Sequence, residues 1–527
     1  MTALSALSAL PALSAATAPA TAAAPAAETA SLVQSVDWLA IAPVVLTAGV
    51  ALVVLIADLF VPERHKPLLG WFSVAGLAAA TASLLPLRAG DRATFCLGTD
   101  PGACSYTADH FTLVIQFLVL AGALVTALLS VTTVRDARMP AGEYWFLLLS
   151  SAAGAALLPA SRDLATLIVA LEVASLPAFA LVGMRRGDRL SSEAALKFFL
   201  SSVTATAVSL MGVSFVYATT GTLHFTQVAD RLEDVPGQLD TLAMAGVALT
   251  LVGFAFKTAA VPFHFWVPDT YIGAPLPIAG YLSVIGKAVG FTGLILVTVI
   301  AFPAYSDIWG PALAVLAALT MTVGNAAALR QRADRPHSAV RLLAWSSVGQ
   351  AGYLLVPIAA AAYSERDQIG STVAYALMYA AVNLGAFSVA ALVASTKPLH
   401  RISDYRGLYA ERPAAALALA FFLLCLAGLP PGLIGLFAKV TVFGSAVDAG
   451  LGWLAVVMAV NVVMALYYYL RWTALLFRAP EGPVEGARTK APWPVTTAIA
   501  VTAGAAVVLS GAPQLVLRFA AGSLFPQ

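Results

Sequence analysis

GFAFKTAAVPFHFWVPD, residues 253–269, places a lysine, a histidine and two prolines inside one long apolar stretch. A proline removes one backbone donor and frees the carbonyl four residues earlier. In a bilayer, broken backbone of this kind is tolerated where it is buried in protein or lines a hydrated cavity. The pattern returns at residues 421–443, FFLLCLAGLPPGLIGLFAKVTVF, where Pro430–Pro431 interrupts a second apolar run carrying Lys439. Paired broken helices in corresponding places are a mark of transporters built from inverted repeats.

The rest of the chain is apolar in the same way. Of its 527 residues 60% are hydrophobic and 11% charged, against about 25% charged in an average soluble domain. Apolar runs of about 20 residues, each able to cross a hydrocarbon core about 30 Å thick, recur from Trp38 to near the C-terminus. With no water in the bilayer these runs must be helices. The pattern predicts an all-α polytopic membrane protein of 14 helices, starting near Trp38, Pro67, Phe111, Glu143, Leu164, Glu193, Leu242, Pro275, Pro311, Val340, Ser371, Ala414, Leu451 and Trp493. Numbered in that order, helices 7 and 12 are the broken ones. Residues 1–36 form an Ala/Ser/Thr/Pro-rich tract without Lys or Arg, read as an exported tail, and 37–139 hold helices 1–3. Residues 140–310 form one five-helix block (helices 4–8) and 311–480 a second (helices 9–13), with a loop and helix 14 in 481–527. A block with an odd number of helices, repeated in tandem, inserts its second copy upside down. The loops expected on one side carry 18 Lys and Arg residues and those on the other carry five. The positive-inside rule then puts both termini on the outer side of a bacterial inner membrane.

Several function classes are excluded. Three cysteines without a C-x-x-C pair hold neither an iron–sulfur cluster nor a structural zinc. No glycine-rich nucleotide motif is present. Of six histidines only His264 looks deep in a helix, too few to ligate a membrane haem. The chain is therefore expected to carry no redox centre and to bind no cofactor or metal of its own. The basic residues form neither patch nor tail, so nucleic acid is not a partner. Cys96 and Cys104 share the polar loop after helix 2, as a disulfide if it faces an oxidising compartment or otherwise as two free thiols.

What remains is a set of charges in the wrong solvent. Of seven lysines, Lys197, Lys257, Lys287 and Lys439 lie in apolar runs, together with Glu172. Each charge at the bilayer centre costs about 2.5–3.5 kcal/mol on the lenient insertion scale, so four lysines cost roughly 10–14 kcal/mol if unpaired. A desolvated lysine can lose and regain its proton, which an arginine cannot, and the set reads as a proton path. A Glu172–Lys197 pair would offset part of both desolvation costs; alternatively Lys197 snorkels to the interface. His264 follows Lys257 by seven residues, two turns along one helix face, as a relay beside the break or as a satisfied core histidine. Lys287 is mid-helix with no carboxylate in its own helix. Lys439 follows Pro431 by eight residues, near the outer half of helix 12, as part of the path or snorkelling outward. Ser346, Ser347, Gln350, Tyr353, Asn383 and Asn461 supply water sites or interhelical hydrogen bonds.

KTAAVPFHFWVPDTYIGAPLPIAGYLSVIGK, with LEVASLPAF, SSVGQAGYLL and LAGLPPGLIGLFAKVTVF, resembles the antiporter-like subunits of respiratory complex I over roughly residues 110–475. Lysine rather than glutamate at 439, and the absence of a long lateral helix after helix 14, point to the N-type branch. The resemblance implies one proton channel, with Glu172 and Lys257 as the gating pair and Lys287 as central relay. It makes Lys439 the exit group, supported by Lys197 and His264. It implies NADH, FMN, iron–sulfur clusters and quinone in partner subunits, among them M-type and small membrane subunits. A subunit of a multi-subunit cation/proton antiporter shares the same motifs.

Overall fold

The computed structural model describes residues 36–98, 100–364, 368–480, 491–520 and 524–525. The expected N-terminal tail, apart from Val36, and the loop at 481–490 lie outside the described residues. Among the described residues 13 helices are long and apolar enough to cross a membrane. Helices 1–6 are Trp38–Phe60, Glu63–Ala89, His110–Asp136, Ala141–Ala160, Leu164–Val182 and Arg189–Thr220. Helix 7 is split into 7a (Asp240–Thr258) and 7b (Trp266–Gly273). Helices 8–11 are Leu276–Ala301, Pro303–Leu329, Ser338–Ala360 and Ile369–Ala394. Helix 12 is also split, into 12a (Pro413–Ala427) and 12b (Leu433–Asp448), and completes the expected set. Helices 13 and 14 are Gly452–Leu476 and Trp493–Gly511. Starts agree with the sequence pattern within four residues, except that helix 9 begins eight earlier. Pro311, read as its first residue, sits inside the helix instead.

Local chemistry explains where these helices begin. Asp37, Asp109, Asp163 and Asp188 cap helices 1, 3, 5 and 6, each accepting from a backbone N–H of the first turn at 2.7–3.1 Å. Such a cap contributes about 1 kcal/mol and satisfies a donor that would otherwise face lipid. Helices 8 and 10 bury 94% of their apolar window and helix 11 buries 83%, whereas helices 1, 13 and 14 bury a third. The lysine-bearing helix 8 is thus the axis of the molecule, and the outer helices carry the lipid-facing surface.

The fold is all-α as expected, with one small element beside the helices. The polar loop after helix 2 is an antiparallel hairpin, β1 (Arg92–Leu97) and β2 (Asp100–Ala108), closed by a Cys96–Cys104 disulfide across directly paired positions. It is fastened to helix 1 by an Arg92–Asp37 ion pair of 2.8 Å and by the Tyr106 hydroxyl donating to the Ala40 carbonyl at 3.0 Å. Burial pushes the Tyr106 phenol up to about 12, so this hydroxyl remains a donor at any physiological pH. On the arginine-rich face, Arg185 donates to the Ala274 carbonyl between 7b and helix 8. Nearby, His337 and His400 pack 5.9 Å apart. Burial, with His337 and Arg185 beside it, pushes His400 down to about 4, so it is neutral near pH 7.

Candidate functional site

Helix 7a stops at Thr258 because Ala259 turns left-handed (φ 68°) and Pro262 offers no N–H. The broken backbone is satisfied by protein groups. The Phe256 carbonyl accepts from the Trp266 indole at 3.1 Å, and Val261 N–H donates to Thr320 Oγ1 at 2.9 Å. Lys257, in the last turn before the break, is 3% exposed. Its ammonium donates to Ser175 Oγ at 2.6 Å and lies 5.2 and 5.7 Å from the ring centroids of Phe198 and Phe179. Ser175 stands one turn beyond Glu172 on helix 5. Glu172 is within Coulombic reach of Lys257, but among the described residues the two form no ion pair. Its Oε1 accepts instead from Thr206 Oγ1 on helix 6, at 2.7 Å.

Two sequence expectations change here. Lys197 does not pair with Glu172. It is half exposed and bridges Glu193 at 2.8 Å and Asp269 at 2.9 Å, tying helix 6 to 7b. Glu193 is one turn back on the same helix, so that pair forms at no cost in reach. His264 does not share a helix face with Lys257 either, because the helix ends six residues before it. It sits in the turn between 7a and 7b, half-buried, with its ring 5.5 Å from that of Trp345.

Helix 8 crosses the centre with a π segment, Leu282–Gly286, immediately before Lys287. Such bulges leave backbone groups and side chains out of α register and often mark functional positions. Lys287 is 1% exposed and its Nζ has no hydrogen-bond partner among the described residues. An unpartnered ammonium there costs several kcal/mol, so its charge depends on what its surroundings supply. Helix 8 reaches 7a through Gly290, where any Cβ would collide with the backbone of Lys257 and Thr258. That glycine brings the two lysine-bearing segments into direct contact.

One turn before Lys287, a polar thread begins. Ser283 Oγ accepts from Asn383 at 2.6 Å, and the Ser283 carbonyl faces the Tyr379 hydroxyl at 3.3 Å. Tyr379 also donates to Ser347 Oγ at 2.9 Å. Gln350, one turn along helix 10 from Ser347, accepts from Tyr375 and donates to Tyr469 at 3.3 Å, and Tyr469 meets Ser346 at 2.5 Å. Gln350, Tyr375 and Tyr379 line a cavity of about 20 Å³ whose far wall is Lys439. That volume accommodates about one water. Lys439 does not snorkel outward. It is 5% exposed, and its ammonium donates to the carbonyls of Leu426 and Ala427 at 2.9 and 2.7 Å, the groups that the helix 12 break leaves without helical partners. Asn461 instead clamps helix 13 to helix 9 through Asn325 and Thr322.

The segments that carry Lys257 and Lys287 thus pack against each other at Gly290, and hydroxyl and amide groups run from Ser283, one turn before Lys287, to the cavity lined by Lys439. Ser175, Thr206, Ser283, Tyr375, Tyr379 and Tyr469 were not singled out from sequence. Ser175 stands in the LEVASLPAF motif, three residues after Glu172, and that spacing was its only signal. Among the described residues no group of three or more His, Cys, Asp or Glu side chains converges as a metal site would.

Known proteins share this architecture. Residues 161–465 match the family model described as NADH:quinone oxidoreductase/Mrp antiporter, TM. The chain is 76% identical over 508 residues to NADH-quinone oxidoreductase subunit N 2 of Streptomyces griseus, covering 94% of this chain and 95% of that one. Among solved structures it is similar to a chain of respiratory complex I from Thermus thermophilus with bound aureothin, at 32% identity and TM-score 0.73, covering 91% of this chain and all of that one. The Mrp complex of a Dietzia species superimposes with TM-score 0.78 over 91% of this chain and 96% of its own, but at 20% identity that likeness shows the fold alone. With a matching family model over most of the chain and a relative this close along nearly its whole length, the chain belongs to the subunit N family of NADH-quinone oxidoreductase, the antiporter-like membrane subunits of complex I.

Proposed function

We propose that this chain moves protons through an intramembrane relay of Glu172, Lys257, Lys287 and Lys439, driven by quinone reduction elsewhere in the complex. Lys257 takes a proton at the break in helix 7, where His264 and the turn around it give water its nearest approach. Lys197 supports the relay by holding 7b against helix 6. The proton passes to Lys287, then along Ser283, Tyr379 and Gln350 to the cavity at Lys439. The observation that carries this reading is the thread from Ser283 through Tyr379 to that cavity, because it sets hydroxyls end to end between two buried amines and reaches space for a water beside the second.

Moving one charge against about 150 mV requires roughly 3.5 kcal/mol. Making or losing a charge-assisted hydrogen bond at a buried lysine, about 1.5–3 kcal/mol, together with a change in hydration, is of that size. The redox groups, NADH, FMN, iron–sulfur clusters and quinone, reside in partner subunits. The M-type and small membrane subunits are the neighbours in the membrane. The chain sits in the bacterial inner membrane with both termini outside. A cation/proton antiporter role has the shared motifs, family model and fold behind it, but the likeness to the Mrp complex is far weaker than that to the subunit N of Streptomyces griseus.

The test is NADH-driven proton uptake into inverted vesicles, normalised to assembled complex, with electron transfer recorded alongside. Lys257→Ala lowers uptake tenfold or more, at least about 1.4 kcal/mol in the barrier. Lys257→Arg is nearly as damaging, because a guanidinium keeps its charge but releases no proton at reachable pH. Full uptake by the arginine variant would sink the relay and leave Lys257 a fixed charge. Graded losses are expected for Lys287→Ala and Lys439→Ala, with Lys197→Ala mildest.

A further inference from the structure

Between the two members of the gating pair stand two hydroxyls that the relay above does not use. Ser175 Oγ accepts from the Lys257 ammonium at 2.6 Å while donating to the Leu171 carbonyl at 2.6 Å. Thr206 Oγ1, on a different helix, donates to Glu172 Oε1 at 2.7 Å. Both hydroxyls are buried, at 1% and 8% exposure, while Glu172 itself is half-buried. The lysine and the glutamate are each held by a neutral group although the opposite charge is one helical turn away. Two oppositely charged groups in a medium of low polarity close up unless something holds them apart.

We infer that Ser175 and Thr206 are positioning residues that hold Lys257 and Glu172 as an open pair, and thereby set how readily the lysine gives up its proton. The inference rests on the relay reading, since it matters only if Lys257 exchanges a proton. Ser175 lies at i+3 from Glu172, so the lysine terminus moves between hydroxyl and carboxylate along one helix face without backbone change. The rings of Phe179 and Phe198 flank that path and hold a cation over their faces at either end. A hydroxyl suits the open position because it accepts from the ammonium without adding negative charge, so it does not hold the proton as a carboxylate does. Thr206 acts on the other partner. By donating to Glu172 it satisfies one carboxylate oxygen and weakens the pull on Lys257. The elements packed around this site carry, besides the pair, Glu143 on helix 4, Arg189, Glu193 and Lys197 on helix 6, Asp240 on 7a, Asp269 on 7b and Lys287 on helix 8; of these, Lys197 bridges Glu193 and Asp269.

The experiment uses the assembled complex in inverted vesicles, with NADH-driven proton uptake measured from pH 6 to pH 9. Ser175→Ala removes the open position, the ammonium falls back on Glu172, and proton release then requires a higher pH. The uptake profile is expected to move alkaline by about one pH unit, a tenfold change in the release equilibrium. Thr206→Val shifts it in the same direction by a smaller amount. Ser175→Thr and Thr206→Ser keep the hydroxyls and return the profile to within about 0.3 pH unit of the parent. A purely packing role predicts the opposite ranking, with the bulkier Ser175→Thr worse than Ser175→Ala and no movement along the pH axis. An unshifted profile in both Ser175→Ala and Thr206→Val overturns the inference. Because the two hydroxyls sit on different helices, either one tests it if a variant of the other does not assemble. Normal uptake by Lys257→Ala, in contrast, overturns the relay on which it rests.

Discussion

The Tyr379 hydroxyl is the narrowest point of the polar thread, touching the Ser283 carbonyl on one side and Ser347 Oγ on the other while lining the cavity of Lys439. Tyr379→Phe keeps the ring and deletes only that oxygen. Losing it costs about 1 kcal/mol of stability, too little to prevent assembly, so the loss should be seen in proton uptake, by roughly tenfold. Uptake at the parental rate would take Tyr379 out of the path. At this scale the sequence was legible only in part. A lysine in an apolar run announces itself because burial of its charge has no cheap explanation. Tyrosine does not, because an aromatic ring at helical spacing fills a core equally well with its hydroxyl idle. Ser175 and Thr206 were hidden for the same reason: a small hydroxyl in a membrane helix usually bonds its own backbone, as Ser388 does to Leu384.

The two breaks were readable as elements because proline removes a donor wherever it falls, and both helices end where that arithmetic predicts. What followed each break was not readable. Helical periodicity carried past Thr258 placed His264 on the Lys257 face, but periodicity has no meaning once Ala259 turns left-handed. The hairpin after helix 2 was missed because its strands are short and contain Pro101 and Gly102, which read as loop. The π segment before Lys287 leaves no compositional trace at all. Gly290 tests how closely helix 8 must approach 7a. Gly290→Ala forces a methyl into the backbone of Lys257 and Thr258, an overpacking cost of about 1–3 kcal/mol. Gly444→Ala, where nothing lies within 4 Å of the added carbon, is the control. The expected result is a lower yield and a lower Tm of the assembled complex for the first variant only. Equal behaviour of the two would mean that the helices yield without effort.

For the molecule as a whole, the proposed sidedness can be read by labelling. The native cysteines do not interfere, since Cys96 and Cys104 are joined and Cys425 is 1% exposed. A cysteine placed at Gly187, in the arginine-rich loop between helices 5 and 6, should be labelled only from the cytoplasm, and one at the exposed Gly237, between helices 6 and 7, only from outside. Labelling of position 187 from outside would reverse the positive-inside argument and put the disulfide hairpin in a reducing compartment. The bonds at Lys439 carry a different kind of consequence. Its ammonium clasps the last two carbonyls of 12a from its seat on 12b, so a side chain that bridges the gap between those ends is also an ionisable one. A charged donor bonds a carbonyl roughly twice as strongly as a neutral one. Protonated, Lys439 would tie the two halves of helix 12 about twice as firmly as it would uncharged, so the stiffness of this span would follow that one proton.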